Sequence, residues 1–137
     1  MLRKDAKIEL LKQVPLFSHC TKKQLAEIAS LADLIDVPAG TLLIREGAVG
    51  REFMVIVEGT VEVRRKGRKI TELGPGDFIG EMALISKAPR NATVTTSEDS
   101  LLLAVTDRQF WGLLERAPDM QTSVIKAMGA RLQSLEV

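Results

Sequence analysis

Apolar positions fall in three patterns along this chain, and each predicts a different kind of element. In the first stretch Ile8, Leu10, Leu11 and Val14 are spaced among Lys, Glu and Gln, which predicts a helix that Pro15 stops. Thr21-Lys22-Lys23-Gln24 has the form of a capping box and predicts a second helix, with Leu25, Ile28, Ala29 and Ala32 on its apolar side. From about residue 33 the period shortens. Leu34–Val37, Thr41–Ile44, Phe53–Val57, Thr60–Val63, Lys69–Leu73, a short strand after Gly74-Pro-Gly76, Ala92–Thr96 and Leu101–Val105 are brief, largely β-branched runs parted by glycines. About eight such strands predict a sandwich, barrel or jelly roll. Helical spacing returns after Thr106-Asp-Arg-Gln109, another capping box, with Phe110, Leu113 and Leu114 and with Trp111 expected in the helix core. Pro118 breaks that helix and opens a last one, whose apolar positions are Met120, Val124, Ile125, Ala127, Met128, Leu132 and Leu135.

The order is helices, then a compact roll, then helices, with no repeat, linker or low-complexity tract. At 137 residues the chain has room for one domain. Nineteen basic and eighteen acidic side chains cancel to +1, so no global electrostatic grip on nucleic acid is indicated. No apolar run is long enough for a membrane span, and the N-terminus lacks the apolar core of a signal peptide. A single cysteine, Cys20, rules out an intrachain disulfide and fits a reducing, cytoplasmic setting. The one histidine, His19, precedes the roll, which argues against a cupin-type metalloenzyme and against a Ser-His or Cys-His nucleophile; no catalytic or metal site is expected. Arg64-Arg-Lys-Gly-Arg-Lys69 reads as a solvated basic hairpin tip.

Candidate chemistry gathers in Gly76–Val94. Gly80 lets backbone approach closely, and Glu81–Ser86 has room for one helical turn whose exposed N–H groups would seat an anion. Arg90, after Pro89, carries the planar donor fork best matched to a desolvated phosphate. Glu81, acceptor-only when ionised, matches a sugar hydroxyl. Together they describe a pocket for a ribose and a single phosphate charge. A P-loop for triphosphate is absent.

These residues resemble the cyclic-nucleotide-binding domain family, which includes bacterial catabolite activators, protein-kinase regulatory subunits and nucleotide-gated channels. The family's phosphate-binding cassette, Phe-Gly-Glu-x-Ala-Leu followed after a gap by Arg-x-Ala, stands here as Phe78-Ile-Gly-Glu81-Met-Ala-Leu84 and Pro89-Arg-Asn-Ala-Thr-Val94. Ile79 is an insertion that catabolite activators share. Pro38-Ala-Gly40, Arg45-Glu-Gly47, Val57-Glu-Gly59 and Gly76-Asp77 extend the likeness over almost the whole chain.

The resemblance implies an α+β fold. An eight-stranded antiparallel β-roll, jelly-roll-like, would span 33–106, with the cassette at 78–94 carrying a short inserted helix. Helices at 1–32 and B/C-type helices at 107–137 would flank it. It also implies roles. Glu81 takes the ribose 2′-hydroxyl. Arg90 and the N–H groups of Ala83 and Asn91 hold the cyclic phosphate, with Gly80, Met82 and Ala92 in the same cassette. Val63, Ile70, Thr71, Leu73 and Val94 line the base and sugar pocket. The residue after the arginine is Ala in many cAMP binders and Thr in many cGMP binders. Asn91 is neither, and cAMP is favoured because the C-terminal part resembles catabolite activators. The Thr-Ser pair that reads adenine there falls on Leu135-Glu136 here, which leaves Arg131, Met128 or Leu135 to cap the base. A homodimer through 119–135 is a further expectation. The expected partner besides the nucleotide is an effector domain or separate protein, with no DNA-binding domain in this chain. The alternatives are a ligand-silent roll that acts through protein contacts and the sensor part of a helix-turn-helix regulator.

Overall fold

The computed structural model describes residues 2–84 and 86–134, with the side chains of Met82 and of 130–134 left outside the description. The chain forms two units, one helical (Met1–Ala32 with Arg108–Val137) and one a β-roll (Asp33–Asp107).

In the helical unit, α1 (Lys4–Lys12) buries Ile8 and Leu11, and a 3-10 turn at Pro15–Phe17 follows the stop at Pro15. The capping box forms at the start of α2 (Lys22–Leu31). Thr21 Oγ1 accepts the Gln24 N–H at 3.2 Å, and Gln24 Oε1 accepts the Thr21 N–H at 2.9 Å. Such a cap stabilises a helix by about 1 kcal/mol. Gln24 does more than cap, because its buried amide donates to Asp119 Oδ2 at 2.9 Å and accepts from Ser123 Oγ at 3.0 Å. That donated hydrogen bond is the main reason the Asp119 carboxyl sits below its ordinary pKa.

Helix α3 (Asp107–Arg116) buries Phe110, Leu113 and Leu114, and the Phe110 and Phe17 rings lie 5.8 Å apart between centroids. Trp111, expected in the core, is 49% exposed. The buried stripe takes positions 110, 113 and 114, and the next residue along the helix points about 100° away from it. Helix α4 (Pro118–Ser134) buries Met120, Val124 and Ala127. Ile125 is 66% exposed, off that stripe for the same reason, and Met128, one turn beyond Val124 at the edge of the stripe, is 37% exposed. Among the described residues no helix is long and apolar enough to cross a membrane.

The roll has eight strands: β1 Asp33–Val37, β2 Leu42–Ile44, β3 Glu52–Glu58, β4 Val61–Arg65, β5 Arg68–Leu73, β6 Phe78–Ile79, β7 Thr93–Thr96 and β8 Ser100–Thr106. They form two antiparallel sheets, in the orders β1-β8-β3-β6 and β2-β7-β4-β5. Ile44, Met54, Ile56, Val61, Ile79, Val94, Leu102 and Ala104 fill a core cluster drawn from both sheets. Phe53–Ile56 is buried at every position, so β3 is covered on both faces and reads as an unbroken apolar run.

The β4–β5 turn puts both Lys66 (φ 52°) and Gly67 (φ 77°) in the left-handed region, the geometry of a primed hairpin turn. A lysine there is strained. Asn tolerates this conformation, and Lys66→Asn is expected to raise unfolding stability by about 1 kcal/mol in a urea titration. Burial pushes the Cys20 thiol up to about 11 from 9.0. Cys20 should therefore react with a thiol reagent at pH 8 far more slowly than the same protein does once unfolded in denaturant.

Candidate functional site

The site is built at the point where three segments of the roll meet. Strand β6 pairs with β3 through Met54–Ile79 and Val55–Phe78, which brings Gly80 beside the start of β3. Gly80 has φ 77°, and a Cβ on it would lie 2.7 Å from the Glu52 carbonyl oxygen and 2.5 Å from an Arg90 Nη1. A glycine is needed here on both counts. The chain then closes into a 3-10 turn over Glu81–Leu84, with the Ala83 N–H donated to the Gly80 carbonyl at 3.0 Å. Glu81 is 4% exposed and Leu84 is buried. The Met82 side chain and Ile85 lie outside the described residues.

Arg90 enters from the other end of the cassette. Its backbone is held by the loop before β3: its N–H donates to the Ala48 carbonyl, and its carbonyl accepts the Gly47 N–H, each at 2.8 Å. Its side chain lies along the same loop and donates Nη2 to the Glu52 carbonyl at 2.7 Å. A Cβ on Gly50 would fall 1.6 Å from Arg90 Nε and 2.0 Å from Cζ. Gly50 is not in the left-handed region, so space rather than backbone freedom is what its missing side chain provides here.

Burial pulls the Arg90 pKa below its ordinary value, and the Glu52 carboxylate partly offsets this. The group stays a cation, because arginine starts far above neutrality. The result is a partly desolvated guanidinium with one N–H on a backbone carbonyl and others to offer, next to the turn that bears a buried carboxylate. Such a pair is chemically matched to an anion that also carries a hydroxyl.

The remaining candidates lie on the second sheet. Val63 pairs with Val94 on one side and Thr71 on the other, and Leu73 pairs with Val61. Paired residues share a face, and Val61 and Val94 place that face toward the core. Val63 and Leu73 pack partly buried against it. Between Thr71 and Lys69 the register slips, leaving Ile70 as the extra residue of a bulge, 48% exposed. Thr71 and Asn91 are also exposed, while Ala92 is buried. Ile125 and Met128 face outward on α4, Leu135 and Glu136 lie outside the described residues, and so do the side chains of Arg131 and Leu132. No group of three His, Cys, Asp or Glu among the described residues is placed to hold a metal ion.

Residues 34–117 match the family model of the cyclic nucleotide-binding domain. The chain belongs to that family. Over 113 residues it is 35% identical to the Pycsar effector protein XpPycTIR of Xanthomonas perforans, covering 81% of this chain and 37% of the relative. The N-terminal domain of a transcriptional regulator from Streptomyces coelicolor A3(2) superposes with a TM-score of 0.83 at 30% identity, over 91% of this chain and 93% of that one. The regulatory domain of Toxoplasma gondii PKA with cAMP gives a TM-score of 0.73 at 31% identity, over 80% of this chain and 43% of that one. The chain spans about a third of the length of the curated relatives it matches.

This cyclic nucleotide-binding domain is thus a regulatory β-roll. Sequence reasoning did not find Gly50 or the Glu52 carbonyl. The available signal was a second glycine, three positions after the turn glycine Gly47 and two before a buried strand. The seat predicts that Gly80→Ala displaces the guanidinium and strains the backbone, with a stability loss of roughly 1–2 kcal/mol from the left-handed φ alone, readable by chemical denaturation.

Proposed function

We propose that this domain is a cAMP sensor in which Glu81 and Arg90 carry the recognition. The observation that supports this most is the Arg90 guanidinium, lodged against Gly50 and Gly80 beside the buried Glu81. In this reading Arg90 and the Asn91 N–H hold the cyclic phosphate, Glu81 accepts the ribose 2′-hydroxyl, and Gly80, Met82, Ala83 and Ala92 shape the cassette around them. Val63, Ile70, Thr71, Leu73 and Val94 supply the wall for sugar and base. The relative solved with cAMP supports the choice of adenine nucleotide.

The Ala83 N–H is committed to Gly80 in the structure, so a phosphate reaching it competes with the 3-10 turn. That competition makes the turn the switching element. Ligand shifts the population only by binding the reorganised turn better than the resting one. Occupancy is passed on by movement of the helices that follow residue 107 to an effector segment or partner protein, in the cytoplasm. Self-association through 119–135 is part of the same proposal and is tested by light scattering with and without ligand.

Calorimetric titration of the nucleotide-stripped protein with cAMP and cGMP in parallel is the deciding experiment. Binding is expected with both, and tighter with cAMP. A cGMP preference would overturn the choice of base while keeping the site, and no heat with either would leave a ligand-silent roll. Arg90→Leu is expected to weaken cAMP binding at least a hundredfold, since losing one partner of a buried charge pair costs about 3–5 kcal/mol. Glu81→Gln should cost about tenfold, the worth of one hydrogen bond to a charged group. Wild-type affinity in Arg90→Leu would remove the site assignment.

A further inference from the structure

The basic run at the β4–β5 tip is exposed at every residue, as expected, but its polar groups have different partners. Arg64 pairs with Glu62 and donates Nη1 to the Gly67 carbonyl at 3.1 Å, and Lys69 reaches Glu72 at 3.6 Å. Arg65 does something different. Its Nε donates to the Asn91 carbonyl at 2.9 Å, across 26 residues of chain, at the residue that follows Arg90. Its neighbour Lys66 donates its backbone N–H to Glu46 Oε1 at 2.9 Å. Glu46 precedes Gly47, whose N–H holds the Arg90 carbonyl at 2.8 Å.

These three hydrogen bonds close a ring. It runs from Arg65 to Asn91, along the chain to Arg90, across to Gly47, back to Glu46, across to Lys66, and so to Arg65 again. We infer that Arg65 is a positioning residue of the ligand site, acting through the Asn91 carbonyl on the peptide between Arg90 and Asn91. The inference rests on the cyclic-nucleotide reading above.

The physical argument concerns one peptide plane. In a trans peptide the carbonyl and the following N–H point in opposite directions. Gly47 holds the Arg90 carbonyl, so the Asn91 N–H is turned away from the loop. Arg65 holds the Asn91 carbonyl at the next peptide. With both carbonyls pinned, the Asn91 N–H has one direction, and it is the donor assigned to the phosphate. Releasing Arg65 frees one of the two pins while leaving the Arg90 side chain in its seat.

The test separates positioning from charge. Arg65→Ala and Arg65→Lys are each expected to weaken cAMP binding roughly threefold to tenfold, the range of one hydrogen bond, and the loss should persist at high salt. Arg68→Ala, which removes the same charge from the same tip, is expected to bind as wild type. In the absence of nucleotide, hydrogen exchange at the Gly47 amide should be faster in Arg65→Ala than in wild type, since the ring is opened. Wild-type affinity in Arg65→Lys, an equal loss in Arg68→Ala, or unchanged exchange at Gly47 would overturn the positioning role alone. A wild-type protein that binds no cyclic nucleotide would overturn the ligand reading, and with it the role given to Arg65.

Discussion

The roll's candidate chemistry depends on keeping one cation partly out of water without neutralising it. A guanidinium withdrawn from solvent loses hydration that only strong acceptors can replace. Among the described residues the replacement is one backbone carbonyl, from Glu52, and the nearby Glu52 carboxylate. Among the described residues the group is held in place but not saturated. An unsaturated, desolvated cation has more to gain from an incoming anion than an exposed one, because its interaction is less screened. Gly50 and Gly80 matter for this reason, since any side chain at either would occupy the volume of the guanidinium.

Rigid surroundings are needed to keep such a seat open. β3 is buried on both faces, and its register with β8 and β6 is set by apolar partners along its length. Glu52 is the first residue of that strand, so the carbonyl that receives Arg90 is anchored to a strand whose next four residues are all buried. The loop from Glu46 to Gly50 is irregular, yet its Gly47 N–H and its Ala48 carbonyl are spent on the Arg90 backbone. Bonding of that kind accounts for a structured loop without regular secondary structure. The cassette turn is different, because a 3-10 turn has weaker hydrogen-bond geometry than an α-helix and reorganises at lower cost.

The domain recurs in proteins of different kinds. The same domain is found in an effector protein, in a transcriptional regulator and in a kinase regulatory domain. In the helical unit, the Gln24 amide ties the start of α2 to the start of α4 through Asp119 and Ser123. One buried amide with both its carbonyl and its N–H engaged is costly to break, so the starts of α2 and α4 are joined by a specific polar contact.

Local chemistry made much of this legible from the residues alone. The capping box at Thr21, the stop at Pro15, the Lys66-Gly67 turn and the strand runs are each written in a few adjacent side chains, and short-range sterics and hydrogen bonding suffice to form them. The cassette was read through its resemblance to a family motif, because a glutamate and an arginine at that spacing more often only pair with each other, and the signal came from Phe78–Leu84 and Pro89–Val94 standing together inside a run of short strands. Helix faces were less so: Trp111, Ile125 and Met128 are apolar yet exposed, since hydrophobicity does not say which side of a helix meets a partner. Tertiary structure alone decided that Arg90 lies against Gly50, that Glu52 contributes a carbonyl, and that Arg65 reaches Asn91. These contacts join residues 26 to 40 positions apart in sequence, through backbone atoms that every residue possesses. No side-chain pattern announces them, and they exist only once the two sheets have closed into a roll.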